Sequence, residues 1–140
     1  MSKSKGFELS IRSTPDNIRL IEPFVREVQQ MFMFNEDVFF NVLLVLTEAV
    51  NNSILHGNGA DPKKYVTITL RPTKGALRFE VCDEGQGFDP STIPDPTKPD
   101  RLQDPNGRGV FLMRQLSDKL NYSKCGRRVK IDFAIVNKSR

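Results

Sequence analysis

Glu48, Asn52 and His56 stand four residues apart in Leu46-Thr-Glu-Ala-Val-Asn-Asn-Ser-Ile-Leu-His-Gly-Asn58. In a helix that spacing stacks a carboxylate, an amide and an imidazole on one face. The run around them is apolar, and an unpartnered buried carboxylate is expensive. A bland account remains open for each. Glu48 can reach out to the helix edge, Asn52 can bond to neighbouring backbone, and His56 suits a helix C-terminus, where a donor or cation favours the dipole.

A second candidate is Asp83-Glu-Gly-Gln-Gly87. Chance places an Asp-x-Gly-x-Gly pattern in a chain of this length only about 4% of the time. Asp-Gly turns still end many strands, so context decides. This Asp falls where a strand ends, and a glycine-rich turn lets another group approach the backbone. An Asp there can accept a hydrogen bond from an exocyclic amine such as that of adenine. The third candidate is Gly107-Arg-Gly109 at a helix start. Free backbone N–H groups and the helix dipole suit such a place to phosphate; a tight loop-to-helix turn is the plain alternative. Neither a Gly-x-Gly-x-x-Gly after a first strand nor a Gly-x-x-x-x-Gly-Lys-Ser/Thr occurs, so a Rossmann site and a P-loop are unsupported.

The elements that must position these residues follow from hydrophobic period. Phe7 to Ser13 alternates and reads as a half-buried strand. Ser13-Thr14-Pro15-Asp16 reads as a helix start with a capping hydroxyl and a Pro in the first turn. Ile18, Ile21, Val25, Val28 and Phe32 carry a helix over about 15–32. Asn35-Glu36-Asp37 caps a second helix running to about His56, apolar over most of its circumference and so deep in the structure. Gly57 and Gly59 bracket its end. Residues 65–71 and 76–82 alternate about a turn at 72–75, a β-hairpin. The stretch that follows holds Pro90, Pro94, Pro96, Pro99 and Pro105, and long loops of this kind tend to be lids or binding segments. A helix opens at 106–109, and 128–136 is the last strand. Helices and a hairpin sharing one core predict an α+β two-layer sandwich.

The chain has 140 residues, one domain of ordinary size, with 38% hydrophobic and 27% charged residues. No run of 18 or more apolar residues and no signal peptide is found, so a soluble cytoplasmic protein with no membrane contact is the expectation. Cys82 and Cys125 lack metal-ligand spacing, and the single His makes no zinc site; both read as buried thiols. The net charge is +4 and the pI near 9.2. Basic residues are scattered, with a mild cluster at Lys124, Arg127, Arg128 and Lys130. A solvated basic surface is favoured over direct nucleic-acid binding, which calls for a concentrated patch and exposed aromatics.

Taken in order, the three candidate segments resemble the N, G1 and G2 boxes of the GHKL superfamily of ATPases. The N box is Glu48-Ala-Val-Asn-Asn52 with His56-Gly57, the G1 box Asp83 to Gly87, the G2 box Asn106-Gly-Arg-Gly-Val110. The small size and the Glu-Ala-Val-x-Asn-x-x-x-His-Gly wording resemble the anti-sigma factor serine/threonine kinases of that superfamily. The similarity spans about 7–136, leaving 1–6 and 137–140 as tails. It implies the Bergerat ATP-binding fold, a mixed, mainly antiparallel sheet with helices on one face. It implies ATP and Mg²⁺, with Glu48 as general base and Asn52 on the metal. Asp83 would bind the adenine amine, Gly85 and Gly87 would shape the base pocket, and Gly107, Arg108 and Gly109 would meet the phosphates. The loop from Phe88 to Asn106 would be a lid, from which Lys98 or Arg101 would reach the phosphates. The implied activity is phosphorylation of a STAS-type anti-anti-sigma partner, with a sigma factor as second ligand and a homodimer as the working form. A nucleotide-dependent binding module that transfers no phosphate, and a simple ATPase, stay open beside it. One departure stands out. Gly126 fits a Gly-Thr pair usual before the last strand, but Arg127 occupies the Thr position, which bears on the surroundings of Asp83.

Overall fold

The computed structural model of the chain describes residues 7–85, 112–123 and 127–135. Within them lies a five-stranded sheet: β1 (Phe7–Arg12), β2 (Tyr65–Thr73), β3 (Ala76–Cys82), β4 (Lys119–Tyr122) and β5 (Arg128–Ala134), in the order β1-β2-β3-β5-β4. Each of these pairings is antiparallel. Alternation sets the two faces. Val66, Ile68 and Leu70, then Leu77, Phe79 and Val81, then Val129, Ile131 and Phe133 are buried on one side. Residues between them turn to the other side, where no described helix packs. At about 1.5–3 kcal/mol for each large apolar side chain removed from water, this inward face is what holds the sheet to the helices.

Among the described residues two long helices lie on the inward face, and Met113 from the short helical stretch 112–116 joins the same core. The expected first helix divides in two: a 3₁₀ turn over Pro15–Leu20, then α1 over Ile21–Phe32. Pro23 sits in the first turn of α1, where no backbone donor is required. Ser13 does not cap as expected. Its buried hydroxyl donates to the Lys64 carbonyl at 3.0 Å, and no side chain caps the 3₁₀ turn. Met33 closes α1 in the left-handed region at φ 62°. Then α2 runs over Glu36–Asn52, capped as expected by Asn35, whose Oδ1 accepts from the Val38 N–H at 2.9 Å. A joint fixes α1 to α2: Arg26 pairs with Glu36 at 2.7 Å and lies 3.5 Å above the Phe39 ring.

By length and apolarity Glu36–Gly57 would qualify as a membrane span. Here Phe39, Val42, Leu46 and Val50 are fully buried against the rest of the chain, as in a core helix. The hairpin is tighter than expected. β2 runs on to Thr73, which pairs with Ala76, leaving Lys74-Gly75 as a two-residue turn. Gly75 at φ 78° makes that turn possible. β4 was not foreseen, and helical residues 112–116 lie just before it. Cys82 is only half-buried: it falls between the inward positions of β3 and so faces the open side, correcting the expectation of a buried thiol. Cys125 lies outside the described residues, as do 1–6 and 137–140.

Candidate functional site

Asp83 follows the last residue of β3 and is 9% exposed. Its Oδ1 accepts from the Gly85 N–H at 2.9 Å, and the Ser53 hydroxyl is a further partner. Burial pushes its carboxyl above the ordinary range. The Gly85 amide, Ser53 and the charges of Arg127 and Lys64 oppose that rise without cancelling it. So the acceptor is desolvated yet backed by donors and cations, a state suited to receiving a hydrogen bond from a ligand.

Two glycines make this possible by contact. A Cβ at Gly57 would overlap the Asp83 carboxylate, and one at Gly85 would overlap the Gly57 carbonyl. The end of the N-box helix and the G1 turn therefore meet with no room for a methyl group. Asn58 locks the meeting. It is 3% exposed; its Nδ2 donates to Ser13 Oγ at 2.6 Å and to the Tyr65 carbonyl at 3.0 Å, while its Oδ1 accepts from the Glu84 N–H at 2.8 Å. Glu84 in turn accepts from the Tyr65 N–H at 2.7 Å.

After Asn52 the helix widens into a π turn over Ser53–Gly57, closed by the Asn58 N–H on the Ser53 carbonyl at 2.8 Å. The widening ends the four-residue repeat. His56 is exposed and is not part of the site, whereas Ser53 and Gly57 turn toward Asp83. Asn52 is half-buried and hydrogen-bonded to the Tyr122 side chain; burial pushes the Tyr122 phenol up to about 12. Asn52, Ser53, Asp83, Tyr122 and Arg127 share a cavity of about 10 Å³, with Ala49, Val81 and Val129 as its apolar walls. That is room for about one water. Arg127 donates to the Gly85 carbonyl at 3.4 Å, so the residue in the expected Thr position does border the turn that holds Asp83.

Of the expected site residues, Asn52, Asp83 and Gly85 come together. Glu48 lies one turn earlier on α2, half-buried, outside the small cavity. Gly87, Gly107, Arg108, Gly109, Lys98 and Arg101 lie outside the described residues. Ser53, Asn58 and Tyr122 were not foreseen. Ser53 and Asn58 adjoin the motif, but Tyr122 has no motif near it. A larger open cleft of about 760 Å³ lies between β1 and α1, bordered by Phe7, Leu20, Phe24 and Gln30. It contains none of the expected residues, so size does not locate the site. Among the described residues no group of three or more His, Cys, Asp or Glu could hold a metal ion. The Mg²⁺ that the resemblance implies would keep water and substrate phosphates and take only one or two protein oxygens, so it would not call for such a group; Asn52 brings a side-chain oxygen to the cavity wall.

Comparison with known proteins bears on the family and the fold. The histidine kinase-like ATPase domain family model matches residues 11–133. The serine/threonine-protein kinase BtrW of Bordetella bronchiseptica is 26% identical over 125 residues, 88% of this chain and 87% of that protein. The anti-sigma F factor of Geobacillus stearothermophilus is 31% identical over 93 residues, 60% of this chain and 59% of that protein. A crystal structure of the RsbU and RsbW domains of Rv1364c from Mycobacterium tuberculosis aligns with 94% of this chain at a TM-score of 0.65 and 13% identity. This chain spans 32% of that structure, and the likeness concerns the fold. The α+β sheet-and-helix architecture agrees with that match, and the chain belongs to the histidine kinase-like ATPase domain family.

Proposed function

We propose that this chain is an ATP-dependent protein serine/threonine kinase and anti-sigma regulator. It would phosphorylate a Ser or Thr on a STAS-type anti-anti-sigma partner and exchange that partner for a sigma factor, acting in the cytoplasm as a homodimer. Residues 7–136 would form its ATPase domain. The observation that carries the reading is Asp83: a buried carboxylate backed by Gly85 and Ser53, sharing a cavity with Asn52 one helical turn from Glu48. Support also comes from relatives named as a serine/threonine-protein kinase and an anti-sigma F factor.

In this reading Asp83 accepts from the adenine amine. Asn52 would hold Mg²⁺, which when bound neutralises charge on the phosphates. Glu48 would take the proton from the attacking hydroxyl, a task that calls for a carboxylate near the γ-phosphate rather than deep in the base cavity. The amides of Gly107, Arg108 and Gly109 would meet the phosphates, with Gly87 beside Gly85 at the base. Partner exchange follows from linkage: a nucleotide or phosphate that favours one complex shifts the other by mass action.

The test incubates the protein with Mg²⁺, γ-labelled ATP and a candidate STAS partner. Label on the partner is expected. Bound nucleotide with neither labelled partner nor free phosphate overturns the kinase, and free phosphate alone favours a simple ATPase. A second reading, a nucleotide-dependent binding module without phosphotransfer, is favoured by one observation: Arg127 borders the cavity where a Thr is expected.

A further inference from the structure

The side of the sheet turned away from the helices carries a cluster of cations. On it lies a cleft of about 270 Å³ whose charged border is Arg71, Arg78, Arg128 and Lys130 against Glu80 alone. Register explains the crowding. Arg71 stands directly opposite Arg78 in the β2–β3 pairing, a like-charge placement that costs stability. Arg78 is relieved by Asp132, bonded to it at 2.8 and 3.0 Å. Glu80 faces Lys130 across the β3–β5 pairing, yet it is bonded to Arg128 at 3.0 Å. Two exposed cations, Arg71 and Lys130, are thus left with no carboxylate among the described residues. A positively charged concavity formed by three adjacent strands fits an anionic ligand better than it fits solvent alone.

We propose that this open sheet face docks an acidic segment of a partner protein. Two other occupants fit less well. A second copy of the same face would bring like charges together. A nucleic acid would need rings to stack on, and the described aromatic on this face is Tyr65, which lies 5.2 Å beneath the Arg12 guanidinium.

The face also adjoins the nucleotide site. Cys82 is on the open side and the next residue, Asp83, is in the cavity. Likewise Arg128 is on the open side and Arg127 borders the cavity. The Asp83 N–H donates to the Arg127 carbonyl at 3.0 Å, joining the two ends. A partner on the face and a base at Asp83 would therefore pull on one shared pair of strand ends. This coupling rests on the proposed nucleotide site; the docking does not.

The test uses the full chain and a labelled peptide of alternating Glu and Ser, with binding read by fluorescence anisotropy at low salt. Arg71→Glu with Lys130→Glu is expected to weaken binding about tenfold or more, as removal of paired interface charge does. Arg19→Glu with Lys63→Glu makes the same change in net charge elsewhere and is expected to stay within about twofold of wild type by the same comparison. Circular dichroism and binding of a fluorescent ATP analogue check that both variants fold. Equal losses in the two variants would mean net-charge attraction and overturn the docking face. Tighter binding of a single-stranded oligonucleotide of equal charge, lost in the face variant, would overturn a protein occupant. So would self-association that the face variant abolishes. Adding Mg·ATP is expected to shift peptide affinity in wild type but not in Asp83→Asn. No shift while the analogue binds overturns the coupling alone; no analogue binding overturns the nucleotide reading and leaves the docking standing.

Discussion

Asp83 faces opposed demands. The proposed ligand requires it ionised, whereas its burial favours the protonated form and raises its carboxyl above the ordinary value. The sign follows from linkage. Where the folded state binds more protons than the unfolded, stability falls as pH rises through that window. Ionised Asp83 therefore costs the fold something near neutral pH. Asp83→Asn is expected to abolish or greatly weaken binding of an ATP analogue without lowering the thermal midpoint at pH 7. Any stability advantage of the variant should shrink as pH falls through the raised carboxyl value. Unchanged analogue binding would refute the base-recognition role. Glu48 lies outside the small cavity, so its loss should spare binding. Glu48→Ala is expected to slow phosphotransfer about 10²–10⁴-fold, the usual worth of a general base, at unchanged nucleotide affinity. Turnover like that of wild type in a labelled-phosphate assay would exclude it. Among these residues, Asn52, Asp83 and Gly85 come from separate motif segments that meet in the fold. His56 does not join them, because a π turn after Asn52 moves the next residues off the shared face. No local pattern announces an extra backbone residue in a helical turn.

The elements meet at Asn58. Its side chain ties the residue after β1, the start of β2 and the turn after β3 to the end of the N-box helix. Truncation would leave a part-buried carbonyl and a part-buried backbone N–H without this partner, each worth up to about 1–3 kcal/mol. Asn58→Ala is expected to destabilise by about 3 kcal/mol, at the upper end of that range for one group, and to weaken nucleotide binding as well, because the Glu84 amide beside Asp83 loses its anchor. Asn35→Ala removes only the exposed cap of α2 and should cost about 1 kcal/mol with binding intact. Denaturant unfolding with parallel analogue titration separates the two: equal losses of stability and binding in both variants would deny Asn58 its positioning role. The long amphipathic elements were legible because periodicity repeats over many residues. β4 was not, since Lys119–Tyr122 is four residues long and exists as a strand only through its pairing with β5.

At the scale of the molecule the sheet divides the labour. Its inward face packs on α1 and α2, and its open face gathers the cations of β2, β3 and β5. The sequence showed a net charge of +4 and a mild cluster near residues 124–130, and both suited a scattered surface. Antiparallel register brings Arg71 and Arg78 to that cluster from another part of the chain. Docking through this face should weaken steeply between low and physiological salt, because exposed charges are screened over about 8–10 Å. A salt-independent peptide affinity, measured by the same anisotropy titration, would argue against an electrostatic surface.

The sequence by itself determined the α+β class, the Asn35 cap and the hairpin, since each is written in local residue types and short spacings. Tertiary structure alone decided that Gly57 and Gly85 meet over Asp83, that Tyr122 reaches Asn52, and that Arg127 borders the cavity while Arg128 turns to the open face. The physical reason is shared. Those relations depend on which backbone lies against which across more than twenty residues of chain, as in the contact of Gly57 with Asp83, and spacing within one element carries no record of them.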